Sequence, residues 1–120
     1  MESYKDLVVW QKAMLLVKEI YTIVKLLPRE EQYALSDQMR RAAVSIPSNI
    51  AEGYGRNSTN DYIRFLNIAR GSKYELETQL HICLMLNYVT KEQAQPAFEF
   101  TQEIGKMINA LIKRLGSSRQ

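Results

Sequence analysis

Apolar residues return at alternating spacings of three and four through four separate stretches of this chain, and that rhythm admits little besides helices. In the first stretch the stripe is Trp10, Ala13, Val17, Ile20, Val24 and Leu27, with Leu16 and Tyr21 at its borders. In the second it is Leu35, Met39, Ala42, Ala43, Ile46 and Ile50. Tyr62, Phe65, Ala69, Ser72, Leu76, Leu80 and Cys83 carry the third, with Leu66, Lys73 and Leu84 flanking them. Ala94, Ala97, Thr101, Ile104, Ile108, Leu111 and Leu115 carry the fourth. No strand-like alternation of useful length and no internal repeat competes with them. Four amphipathic helices, at roughly 7–27, 36–53, 59–87 and 91–115, joined by short polar links, predict an all-α fold. The expected architecture is an antiparallel up-down-up-down four-helix bundle, one domain over residues 1–120.

Punctuation supports these bounds. Asp6 is placed to cap the first helix and Pro28 to close it, leaving a charged link over 28–35 with at most one loose turn. Ser36 or Asp37 is expected to cap the second helix, with Gly53 and Gly55 ending it by positive φ. Ser58 with Asp61, and Thr90 with Gln93, read as capping boxes. Gly116 is expected to stop the fourth helix before a frayed tail over 117–120, and Pro96 to distort its first turn. Ala69, Gly71 and Ser72 read as a site of close helix approach, since a mid-helix glycine otherwise costs up to about 1 kcal/mol.

The second helix is unusual. Opposite Arg41, Ser45, Ser48 and Glu52 lies its apolar arc, and between the two runs a flank of Arg40, Val44, Pro47 and Ala51. Pro47 withholds an N–H from the Ala43 carbonyl, so a kink is expected, with Ser45 and Ser48 compensating at the backbone. Val44, Pro47 and Ala51, together with Ile68 on the third helix, are spare apolar positions of the kind that mark a subunit interface.

Composition excludes more than it assigns. Among 120 residues no apolar run reaches bilayer length; the nearest, Met14 to Leu27, is broken by Lys18, Glu19 and Lys25. With no signal-like apolar core near the start, a cytoplasmic protein without membrane contact is expected. A lone cysteine, Cys83, on an apolar stripe reads as a buried inert thiol. The single histidine, His81, follows Glu77 by four residues, not the three of a di-metal bundle motif, so no metal is expected. No spacing supports a Ser-His-acid triad built on Ser45, and Gly53-Tyr54-Gly55 lacks the lysine and preceding strand of a phosphate loop. No catalytic residue, cofactor or enzyme activity is expected.

What remains is charge. The net charge of +3 is modest, but its distribution is uneven. Arg40, Arg41, Arg56, Arg64, Arg70 and Lys73 are opposed over 38–73 only by Glu52 and Asp61, and no acid follows Glu103. Arginines present paired donors to phosphate, and Tyr54 and Tyr62 lie close enough in sequence to stack on unpaired bases. The competing expectation is that Arg41, Arg70 and Lys73 pair with Glu52, Glu75 or Glu77, Lys73–Glu77 being the best-spaced local pair.

The run Arg40-Arg41-Ala-Ala-Val-Ser45-Ile-Pro47-Ser-Asn49-Ile-Ala-Glu52-Gly53, then Arg56, then Phe65-Leu-x-Ile-Ala69-Arg70-Gly71-Ser72 and Glu75, resembles the four-helix bundle proteins encoded in 23S rRNA intervening sequences. Asp6-Leu-x-Val-Trp10-Gln-Lys-Ala13 fits the same pattern, so the resemblance spans nearly the whole chain. The chain is also similar to accessory proteins of diversity-generating retroelements, which are pentameric, basic helical bundles that bind nucleic acid and a reverse transcriptase. The resemblance implies a homo-oligomer, a pentamer by that likeness, with RNA, DNA or a protein as partner. The expectation is a non-enzymatic scaffold whose six cations meet phosphate. The alternative is a pure protein–protein interaction module without nucleic-acid affinity.

Overall fold

The computed structural model describes residues 2–118. Its four helices are α1 (Val8–Val24), α2 (Leu35–Tyr54), α3 (Thr59–Met85) and α4 (Lys91–Ser118), with 3₁₀ turns at Tyr4–Asp6 and Arg29–Glu31. Among the described residues there is no strand. Each helix packs on its two chain or spatial neighbours: α1 on α2, α2 on α3, α3 on α4 and α4 on α1, while the backbones of the diagonal pairs stay further apart. This is the antiparallel four-helix bundle, elongated to 49 × 23 × 21 Å.

The core follows the predicted stripes on α2 and α4; on α3 it shifts to take in two expected flankers, Leu66 and Lys73, while Tyr62 and Ser72 are only partly buried. Met39, Ile46 and Ile50 of α2, Leu66, Leu76 and Leu80 of α3, and Ile104 and Ile108 of α4 are fully buried. Burying each contributes roughly 1.5–3 kcal/mol. On α1 the seam is rotated. Leu16, expected at the border, is completely buried with Ala13, Ile20 and Ile23, whereas Trp10 and Val17 are only partly covered. The cause is compositional: apolar residues occupy much of the α1 surface, so several registers of the same spacing fit, and packing against α2 and α4 together selects among them. Rotation turns Trp10 and Val17 toward the outer edge of α2.

Several helix ends differ from expectation. Asp6 does not cap α1; its Oδ2 accepts from the N–H groups of Glu2 and Ser3 at 2.9 and 3.1 Å, closing a capping box around the 3₁₀ turn. Those two bonds hold its carboxyl below the ordinary carboxylate value. Neither Ser36 nor Asp37 caps α2, which begins one residue earlier with the Leu35 N–H facing Glu31 Oε1 at 3.4 Å. No described glycine has positive φ: Gly53 is helical and Gly55 follows α2 at φ −80°. The left-handed residue is Asn87, at φ 60°. There the Tyr88 N–H reaches the Cys83 carbonyl at 2.9 Å and the Asn87 N–H the Leu84 carbonyl at 3.1 Å, the Schellman closure of α3. Ser58 caps α3 through the Asp61 N–H, and Thr90 and Gln93 form the expected reciprocal box. α4 runs on through Gly116 to Ser118; residues 119–120 of the expected tail lie outside the described residues.

Around Pro47 the helix runs on as expected, and the difference lies in the serine hydrogen bonds. α2 continues through Pro47, which is buried. Ser45 turns toward α3, where its Oγ shares a 2.8 Å hydrogen bond with Ser72 Oγ. The Asn49 side-chain amide donates to the Ser45 carbonyl at 2.8 Å and to Ser45 Oγ at 2.9 Å. The Asn49 amide thus braces the turn at Ser45, whereas the carbonyl that Pro47 leaves without its helical donor is that of Ala43.

Candidate nucleic-acid interface at one end of the bundle

Antiparallel packing brings the end of α2 and the start of α3 beside the start of α1 and the end of α4. Gly53 sets the closeness of the α2–α3 junction. A Cβ there would stand 2.8 Å from Phe65 Cβ, nearer than such carbon atoms approach, and a tight 3.1 Å from Tyr62 Cδ1. With hydrogen in that place, the first turns of α3 close on the last turn of α2. Tyr54 and Tyr62 then meet edge to face, their ring centroids 6.2 Å apart and their planes at 83°.

Phe65 is buried, and two guanidinium groups lie over its ring, Arg56 at 4.8 Å and Arg64 at 4.5 Å from the centroid. These cation–π contacts hold two arginines at one place on the surface. Each also has an acidic neighbour: Arg56 Nη2 lies 3.3 Å from Glu52 Oε1, and Arg64 Nε 3.7 Å from Asp61 Oδ1. Both pairs face solvent, where such bridges are worth well under about 1 kcal/mol, so an incoming phosphate displaces them cheaply. Arg114, from the end of α4, acts electrostatically on Tyr62. Burial, and then the Tyr54 phenolate that forms only at high pH, nevertheless push the Tyr62 phenol above its usual pKa.

The remaining predicted cations lie elsewhere. Arg40 and Arg41 belong to the first turns of α2, toward the opposite end, with Arg41 bonded to Asp37 at 2.9 Å and Arg40 to the Gln32 carbonyl at 3.2 Å. Arg70 links α3 to α4, donating to Asn109 Oδ1 at 2.8 Å and Asn67 Oδ1 at 2.6 Å. Lys73 is 7% exposed. It enters the α3–α4 contact against Gly105, with its ammonium 3.3 Å from Glu77 Oε1 and 3.8 Å from the Tyr74 ring centroid. A buried, enclosed ammonium does not present itself to a phosphate, so Lys73 leaves the surface set. The six cations thus form no single patch: Arg56 and Arg64 meet over Phe65 at one end, while Arg40 and Arg41 share the Asp37 carboxylate toward the other. Phe65, which joins the first pair, was read from sequence as core alone, because a stripe position gives no sign that its ring edge reaches the surface.

The four apolar interface candidates also divide. Val44, Pro47 and Ala51 line an open groove of about 360 Å³ between α1 and α2, walled by Tyr4, Trp10, Met14 and Val17. Ile68 is exposed on α3 and is not part of that groove. The rotated α1 seam builds its far wall, and Tyr4 packs edge-on against Trp10 at 5.3 Å. Among the described residues, no group of three or more His, Cys, Asp and Glu side chains can hold a metal ion, and no helix is long and apolar enough to cross a membrane. Burial raises the Cys83 thiol to about 11, so it is not a thiolate at neutral pH.

These features define a small all-α bundle protein with an aromatic and basic end. The chain belongs to the 23S rRNA-intervening sequence protein family, whose pattern it matches over residues 5–110. It is similar, too, to a protein of unknown function from the S23 ribosomal protein family of Bacteroides thetaiotaomicron VPI-5482, known from a crystal structure at 1.70 Å resolution. The two share 32% identity over 88% of this chain and 99% of that one, with a TM-score of 0.82. Among curated proteins none matches the chain.

Proposed function

We propose that the protein is a non-enzymatic, homo-oligomeric scaffold of the cytoplasm that binds RNA or another nucleic acid through the end where α2 meets α3. One observation carries this reading: Arg56 and Arg64 are both held over Phe65 beside the Tyr54–Tyr62 pair. Their fixed guanidinium groups suit phosphate, with an affinity set by electrostatics more than by sequence. Assembly through the α1–α2 groove would repeat that modest site around an axis, and multivalency would offset its weakness. The likeness to pentameric accessory proteins supports a ring.

A second reading has its own support. Each of the six predicted cations already has a partner in the fold, and the apolar groove is a protein-like surface. On that reading the chain is a protein–protein interaction module alone. Binding of the assembled protein to labelled structured RNA, duplex DNA and single strands, at low and near-physiological salt, separates the two. Molar mass is measured by light scattering in the same samples. The scaffold reading expects salt-sensitive binding that falls at least tenfold in the Arg56→Ala, Arg64→Ala double variant, with fold and mass unchanged. Absence of binding to every probe at low salt sinks it and leaves the interaction module.

A further inference from the structure

The junction of α2 and α3 carries more than charge. Its own cations, Arg56 and Arg64, are each paired with an acid, Glu52 and Asp61, and even with Arg114 nearby they sit at an end of a bundle only 23 × 21 Å across. A duplex bound through phosphates needs many cations along a rigid, evenly charged rod. It also keeps its base faces stacked inside, where an aromatic side chain cannot reach them. The junction has the opposite balance: two arginines and two partly exposed tyrosines within a few residues of one another. In an edge-to-face pair each ring keeps at least one face that its partner does not cover. The tyrosines are also held in advance, because Gly53 lets α3 close and Phe65 anchors the arginines beside them.

Resting on the nucleic-acid reading above, we infer that this site takes an unpaired segment of a single strand. One base stacks on the tyrosine pair, and the flanking phosphates meet Arg56 and Arg64. A flexible strand bends its phosphates past Glu52 and Asp61, which a rigid duplex cannot do. Tyr54, from the last turn of α2, is the stacking residue; Tyr62, whose ring stands where a Gly53 side chain would reach, is left intact in the test.

The experiment compares a fluorescein-labelled single-stranded RNA 12-mer with the same strand annealed to its complement, by anisotropy at low salt. Wild-type protein is expected to prefer the single strand by at least tenfold. Tyr54→Leu should lose roughly 5- to 100-fold in single-strand affinity, the worth of one stacked base, and erase most of the preference. Tyr54→Phe, which keeps the ring, should bind like wild type. Melting curves of both variants confirm the fold. Equal affinity for the two probes, or indifference to Tyr54→Leu while Arg56→Ala with Arg64→Ala still weakens binding, overturns the inference and leaves the phosphate reading standing. Failure to bind either probe removes both.

Discussion

Gly71 and Gly105 show how differently two glycines serve one helix pair. Gly105 on α4 faces Lys73, whose Nζ and Cε would lie 3.1 and 3.2 Å from an added Cβ, so its lack of a side chain makes room for a buried ammonium. Gly71, two residues before Lys73, faces open space with nothing within 4 Å. The sequence reading gave Gly71 a role in close helix approach; that role belongs to Gly53, at the junction. Spacing along α3 could not distinguish them, because the need for glycine is set by what stands opposite, and that residue comes from another helix. Gly71→Ala should therefore stabilise the protein by up to about 1 kcal/mol, from restored helix propensity alone. Urea denaturation of the two proteins reads this directly; a loss of stability would reveal a contact that Gly71 makes in the assembled state.

At the scale of elements, helix number, order and approximate bounds were legible, since a 3–4 apolar rhythm over 17 to 28 residues leaves little alternative. Caps were legible for the same reason, since all the atoms involved lie within one turn: Thr90 with Gln93 forms the full reciprocal box, and of the box read at Ser58 and Asp61 the structure shows the half in which Ser58 accepts from the Asp61 N–H. The rotation of α1 was not, because its composition offers several equivalent stripes. The stop of α3 near Asn87 was legible, but its left-handed geometry was not, because a left-handed asparagine has a weaker signature than glycine. The Schellman closure makes a specific demand on Asn87, which tolerates φ 60° better than residues without a short polar side chain. Asn87→Ala should cost about 1 kcal/mol in thermal or chemical unfolding, while Asn87→Gly should be neutral or stabilising. In the candidate site the participants Arg56, Arg64, Tyr54 and Tyr62 were visible in sequence. Their separation from Arg40, Arg41, Arg70 and Lys73 was not, for it depends on which end of an antiparallel bundle each turn occupies.

The whole molecule is held by four neighbour contacts in a closed cycle, α1 to α2 to α3 to α4 and back to α1. At the basic end, Asp6 to Val9 and Met107 to Arg114 line one groove, so the first and last turns of the bundle stand side by side. As far as packing is concerned, the polypeptide is a loop of four rods cut at one point, and the order in which the rods are synthesised is not dictated by their contacts. A short Gly-Ser bridge from the end of α4 to Lys5, with a new opening between Pro28 and Arg29, should give a protein that runs α2, α3, α4, α1 and still unfolds in one cooperative step. Circular dichroism melting checks this, and a broad, non-cooperative melt would show that synthesis order matters. The rearranged chain would carry both of its free ends at the pole away from Arg56 and Arg64. In the natural order anything fused to either end is delivered to the arginines, so dyes, surface anchors and partner domains are better attached through the permuted form.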